Sequence, residues 1–571
     1  MRRLPDPSAL RRSSPVLRMG GRVIVVSLLM MVFAHADGAS TPPTWSPATL
    51  TTLRHLAIQH HGRLKPFESF ARETLDFLTG RPRWGPTDPV QTVLWILADP
   101  ERWQKEPLIW VPFVPLRDAL GLDPHTSHVS YADLIATRKL MRLLPAIVEK
   151  QQRDEKLSML EAETMDCYER FATLNSLFEQ DLRVVPPRSS ADQVWLPIFE
   201  PTGYPQDRQT QLQRAWTSLM AAIRQPSSSA LDEAAVHVAQ QLQAANSSAY
   251  PARWRLRWEV FYNHSHPFQA ASFAYALAGL MLLASFSRPG SRLRWAGDGS
   301  LWTGALIHGV GIVTRVVLGG RPPVSNFFET MLWLPFVAVM LAFVFDRIYR
   351  VRHVGLSAAI LAAVTLGVAN QLPLDSSISP VVAVLHSTLW LTVHVLTIVA
   401  SYGALALAAV LAHLYGWHYL IRSDDDALLA SLELFLYRAI QVGVVLLTSG
   451  IMLGAVWANA SWGRYWGWDP KETWALITLL WFLAVLHGRF AEWLKGVGVA
   501  LATIGGFFLL LMTYYGVSFY LVGLHSYAGD HAKPLPPMVI GVFVAELAFL
   551  GCVGWRVLTQ RRVTSSTAPS P

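Results

Sequence analysis

Two kinds of residue in this sequence could hold a ligand: histidines at or within long apolar runs, and a dense group of tryptophans between two such runs. The stretch Trp462 to Trp474 reads WGRYWGWDPKETW and holds four of the chain's 22 tryptophans. Interfacial anchoring, the usual role of Trp at a membrane edge, accounts for Trp457, Trp462 and Trp474. It does not account for Trp466 and Trp468 on either side of Gly467, with Tyr465 and Arg464 alongside. Flat apolar faces beside a cation and an open backbone suit a large planar ligand carrying anionic groups. Asp469-Pro470-Lys471-Glu472 has a plain structural reading as a helix start, with Asp at the N-cap, Pro at the first helical position and Glu reaching back. His487 follows inside the next apolar run, where an ionisable group is costly and usually faces a functional interior. His394 and His525 lie at the ends of other runs, where a histidine is ordinarily a solvated loop residue.

The elements that position these residues must be helices in membrane lipid. A chain of 571 residues that is 52% hydrophobic and only 15% charged is too apolar for a soluble multidomain protein. Its net charge of +8 falls largely in short loops between apolar segments, so it sets membrane orientation and indicates no nucleic-acid partner. The two cysteines, Cys167 and Cys552, form neither a disulfide framework nor a Cys-x-x-Cys redox site.

Residues 1–36 carry several arginines, a short apolar run and an Ala34-His35-Ala36 cleavage pattern, which reads as an export signal. The run is short for a spanning anchor. Residues 37–264 lack any long apolar run and should form a mainly helical extracytoplasmic domain. Within it, His60-His61-Gly62-Arg63-Leu64-Lys65-Pro66-Phe67 reads as a turn leading into an amphipathic helix with a solvated basic face, or as a surface for a partner. From 265 to 560 the fold class is an all-α polytopic membrane domain of about nine spanning helices: Pro267 to Ser287, Ser300 to Leu318, Phe327 to Phe345, Val354 to Asn370, Thr392 to Leu420, Tyr437 to Trp457, Thr473 to Phe490, Val497 to Leu521 and Met538 to Val557. The Trp-rich loop spans 457–474, and residues 561–571 form a cytoplasmic tail. Arginines and lysines cluster in alternate loops, at Arg292 and Arg294, Arg347 and Arg350, Arg422 and Arg438, Arg489 and Lys495, and Arg561 and Arg562. That alternation puts the amino-terminal domain, the Trp-rich loop, His394 and His525 on the extracytoplasmic side of a bacterial inner membrane.

WGRYWGWDPKETW, preceded by Trp457-Ala458-Asn459, resembles the Trp-rich "WWD" signature of haem-handling proteins in cytochrome c biogenesis. Tyr465 and the Asp469 to Glu472 run are similar to the CcsA (ResC) branch of that superfamily. The likeness extends over roughly Arg315 to Ala528 and includes Gly320-Arg321-Pro322-Pro323-Val324-Ser325-Asn326 with Glu329, Trp390 to Val395, and Gly523-Leu524-His525-Ser526-Tyr527-Ala528. Ser518 departs from the pattern, which has Asn there, and so alters a local polar contact near the end of span eight. His61 to Phe67 with Ala71-Arg72-Glu73 looks like a segment preceding the CcsA part of longer or fused biogenesis proteins.

This resemblance implies that haem b is carried across the membrane and presented at the outer face for thioether attachment to an apocytochrome c Cys-x-x-Cys-His segment. It implies a subunit of a cytochrome c synthase (haem lyase), working with a CcsB (ResB) companion and an extracytoplasmic thiol reductant. The alternative is a haem exporter or membrane scaffold of the same superfamily that attaches nothing. By similarity His394 and His525 are the outer axial ligands, with His386 in the same loop as the rival of His394. His487 is a ligand of a second haem, about 13 residues or near 20 Å down span seven. Trp462, Trp466, Trp468, Asp469 and Arg464 complete the expected haem-holding surface. Arg321, Arg464 and Lys471 are the cations that could meet haem propionates, Arg315 and Glu329 could simply pair with each other, and His308 is a weaker candidate for haem contact.

Overall fold

The structure, a computed structural model, describes residues 45–153, 155–189, 192–225, 228–287, 292–349, 351–372, 374, 376–378, 388–422, 426–525 and 537–566. The export signal, His386, Ser526 to Ala528 and residues 567–571 lie outside the described residues.

The buried apolar residues fall into two large clusters, one running from Trp45 to Leu242 and the other from Phe268 to Leu510. The first is the core of a mainly helical amino-terminal domain, in which Trp216 and Phe67 are fully buried. Three short antiparallel two-stranded sheets accompany its helices. One of them pairs Ala57–His60 with Arg63–Pro66, and it corrects the reading of that motif. His61 and Gly62 take left-handed backbone angles to make the turn. Arg63 and Lys65 are then buried, in place of the solvated basic face that the sequence suggests. Arg63 makes a two-pronged bond to Glu259, at 2.8 and 2.7 Å, and Lys65 pairs with Glu73. Such cations can be buried because each meets a carboxylate.

Glu259 belongs to the helix Arg253–Ser265, which joins the domain to the bundle. Asn263 on the same helix donates to Glu68 and Ser69 of the helix Phe67–Thr79. Toward the bundle, Arg255 donates to the Leu318 carbonyl at 2.7 Å, and Arg315 reaches the Tyr262 hydroxyl at 3.3 Å. The joint is therefore polar and anchored on both sides.

The nine expected apolar segments are helices α1 (Pro267–Ser287), α2 (Arg292–Gly319), α3 (Phe327–Tyr349), α4 (Arg352–Ala369), α5 (Thr388–Ile421), α6 (Asp426–Trp462), α7 (Pro470–Phe490), α8 (Val497–Leu511, prolonged to Tyr520) and α9 (Pro537–Ser566). Among the described residues, eight helices are long and apolar enough to cross a membrane, and α4 is a shorter apolar helix. Arg352 and the Asn370-Gln371 pair bound it, so its apolar stretch, His353–Ala369, lies at the short end of the spanning range. This is an all-α, multi-pass membrane protein. In α8 the helix widens into a π turn over Met512–Gly516, a feature common where a helix serves a site.

Candidate functional site

At the end of the bundle nearest the amino-terminal domain, α3, α5, α6, α7 and α8 surround a cavity of about 580 Å³. That size suits a substantial organic ligand. From α5 the wall takes Leu391, His394, Val395, Ile398, Val399 and Tyr402, a single helix face at three- and four-residue spacing. From α6 it takes Ile451, Gly454, Ala455 and Ala458 on the same rule, together with Trp457 and Trp462. His525, distant in sequence, closes the cavity from the loop after α8.

His394 and His525 thus both line one cavity, and both rings lie near Trp457. His394 stacks parallel to that indole at 6.3 Å between centroids, and His525 stands at 6.1 Å and tilted by 60°. Trp462 lies edge-on to His525 at 5.7 Å. Each imidazole has its Nδ1 engaged. His394 Nδ1 is 2.8 Å from the Gly450 carbonyl oxygen, and His525 Nδ1 is 3.3 Å from Asp469 Oδ1. A carbonyl beside Nδ1 requires the proton there, so the Nε2 lone pair of His394 is left for a metal, and the Asp469 carboxylate favours the same state in His525.

Two glycines make this arrangement possible. A Cβ on Gly454 would come within 2.6 Å of His394 Cε1, and one on Gly523 within 2.8 Å of Asp469 Oδ2. Asp469 heads α7 with Pro470 at the first position, and Glu472 reaches back to the Asp469 and Gly467 amides at 3.2 and 2.8 Å. The helix start therefore also holds the partner of His525.

The other sequence candidates divide. Trp466 lines the cavity, but Trp468 does not: it is 70% exposed, with a left-handed φ of 57° that turns it outward. Its indole meets the edge of Trp466 at 5.8 Å. Arg464 also stays out of the wall, lying over Trp462 and 3.7 Å from Glu472. Arg321 reaches the wall but bonds Glu329 at 2.7 Å, and Glu329 also holds Arg315 at 2.9 Å. His487 is exposed on the outer side of α7, with Nδ1 against the Leu483 carbonyl, in place of the interior-facing position that its depth in an apolar run suggests. His308 is buried among Phe268, Tyr275 and Phe336, 3.2 Å from the Tyr275 hydroxyl, and takes no part in the cavity.

Three residues of the wall, Gly454, Tyr402 and Tyr514, are not singled out by the sequence motifs. Helical spacing is the signal that finds two of them. Tyr402 lies eight residues after His394, and Gly454 lies three before Trp457, each on the same helix face as its neighbour. Tyr514 sits on the π turn of α8, whose geometry no local sequence pattern reveals.

Residues 324–525, which contain almost all of this wall, match the cytochrome c assembly protein family. The CcsA protein of Guillardia theta is 36% identical over 242 residues, covering 38% of this chain and 79% of that protein. CcsA of Prochlorococcus marinus subsp. pastoris is 32% identical over 245 residues, covering 38% of this chain and 78% of its own length. The chain belongs to the CcsA family of cytochrome c biogenesis proteins. Protein NrfI of Wolinella succinogenes is similar over more of this CcsA-family chain, with 30% identity over 512 residues and 83% of the chain covered. That share exceeds the membrane bundle, so the similarity reaches into the amino-terminal domain. The chain spans about half the length of NrfI, 54% of which is covered.

Proposed function

We propose that this CcsA-family protein holds haem b in the α3–α8 cavity and presents it for thioether attachment to an apocytochrome c. The observation that carries the reading is the pair His394 and His525, both in one Trp-walled cavity and both with Nδ1 engaged. Two imidazoles with Nε2 available suit the two axial positions of a haem iron, and filling both discourages oxygen chemistry. Trp457, Trp462 and Trp466 supply the flat apolar surface a porphyrin requires.

The residues fit the group in a further respect. Lys471 puts a cation in the wall, the complement of a ligand that carries carboxylates. The attachment chemistry adds each cysteine thiol of Cys-x-x-Cys-His across a haem vinyl, sulfur to one carbon and hydrogen to the other. The protein's part is orientation and exclusion of water, and no side chain here needs to be a nucleophile. Burial pushes the pKa of the Cys167 thiol up to about 12, which suits a structural role for that residue.

The alternation of arginine-rich loops supports an extracytoplasmic amino-terminal domain and cavity, in a bacterial inner membrane. His487, exposed on α7, is suited to a haem shared with a companion membrane protein of the CcsB type, because its face is open to a neighbour. The cysteines of the apocytochrome require an extracytoplasmic thiol reductant. The test is co-expression with a CcsB-type companion and a reporter apocytochrome. His394→Ala and His525→Ala should each abolish covalent haem on the reporter; normal maturation in both variants would refute the assignment.

A further inference from the structure

Lys471 is the second residue of α7 and lies in the cavity wall. Its Nζ donates to the Ser518 hydroxyl at 2.8 Å and to the Tyr514 carbonyl at 3.2 Å, both neutral oxygens on the widened end of α8. Among the described residues no carboxylate lies within ion-pair distance of it, although other cations around the cavity have one. Arg321 has Glu329, and Arg464 has Glu472. Asp469 is directed to His525. Lys471 is half-buried and feels the Asp469 charge without a direct ion pair, so its ammonium can still take a ligand carboxylate as its bonded partner. Trp457, Trp462 and Trp466 in the same wall offer flat apolar faces to the body of such a ligand.

We infer that Lys471 is the carboxylate-recognising residue of the cavity, and that the ligand is a planar macrocycle with peripheral carboxylates. This rests on the haem reading and specifies how the ligand is oriented. Ser518 and Tyr514 hold the ammonium in place, while His394 and His525 face the same space. A charged hydrogen bond of this kind contributes about tenfold to a hundredfold in affinity.

The experiment titrates the full-length protein in detergent with haemin and with haemin dimethyl ester, which keeps the ring and iron but lacks the carboxylates. The wild type should bind haemin about tenfold or more tighter than the ester. Lys471→Met should remove that preference and leave ester binding unchanged, whereas Lys471→Arg should restore most of it. Ester binding by Lys471→Met also shows that the variant is folded. If Lys471→Met keeps the preference, the inference is overturned and the haem reading stands. If the wild type binds neither porphyrin, the haem reading falls and the inference falls with it.

Discussion

Asp469 Oδ1 lies 3.3 Å from His525 Nδ1 across 56 residues of sequence, and the same aspartate heads α7. One residue therefore sets both where a membrane helix starts and how an imidazole is aimed into the cavity. The carboxylate–imidazole contact is the arrangement by which metal-binding histidines are commonly oriented.

Asn caps a helix as well as Asp does. Asp469→Asn should therefore leave thermal stability near wild type while weakening haem retention roughly 10- to 100-fold. Pyridine haemochrome content beside a melting curve separates the two effects.

Gly454→Ala places a methyl where His394 now sits, since the Cβ would lie 2.6 Å from Cε1. Haem content should fall as it does in His394→Ala. Gly541→Ala, where a Cβ meets nothing within 4 Å, is the matched control and should behave as wild type.

Trp462→Ala removes a wall of the cavity and should reduce haem content. Trp468→Gly removes an exposed indole and relieves a left-handed φ, so haem content should be unchanged. Equal loss in both would contradict the division of the Trp-rich loop.

Arg63→Met leaves Glu259 buried with only the Ser69 hydroxyl as donor and no counter-ion, which costs about 3 kcal/mol. The double variant Arg63→Met/Glu259→Met should be less destabilised than the single one. Limited proteolysis of the amino-terminal domain measures the order.

Burial, reinforced by the charges of Lys65 and His61, lowers the His60 pKa from 6.5 to about 3. Between those values the unfolded chain binds a proton that the folded domain does not. Stability should therefore fall as pH drops from 6.5 toward 3, and the His60→Phe variant should lose less over that range when melting is followed against pH.

Much of the bundle is legible in the sequence because apolar runs and caps are local. Pro267 to Ser287 coincides with α1, and Asp469-Pro470 marks the start of α7. The cavity is only partly legible, because its geometry depends on pairings between distant residues. Arg63 reads as a solvated cation until Glu259, 196 residues later, is seen beside it. Trp468 reads as one of a pair with Trp466 until its backbone angle turns it outward. His487 lies well inside an apolar run, but only the packing shows which side of α7 it occupies.

The central claim is that His394 and His525 together ligate one haem iron. The direct measurement is the absorption and electron paramagnetic resonance spectrum of the purified full-length protein and of His394→Ala and His525→Ala. The expected result is a low-spin, bis-imidazole haem in the wild type, lost in each variant and restored by added imidazole. A wild-type low-spin spectrum that persists unchanged in both variants would contradict it.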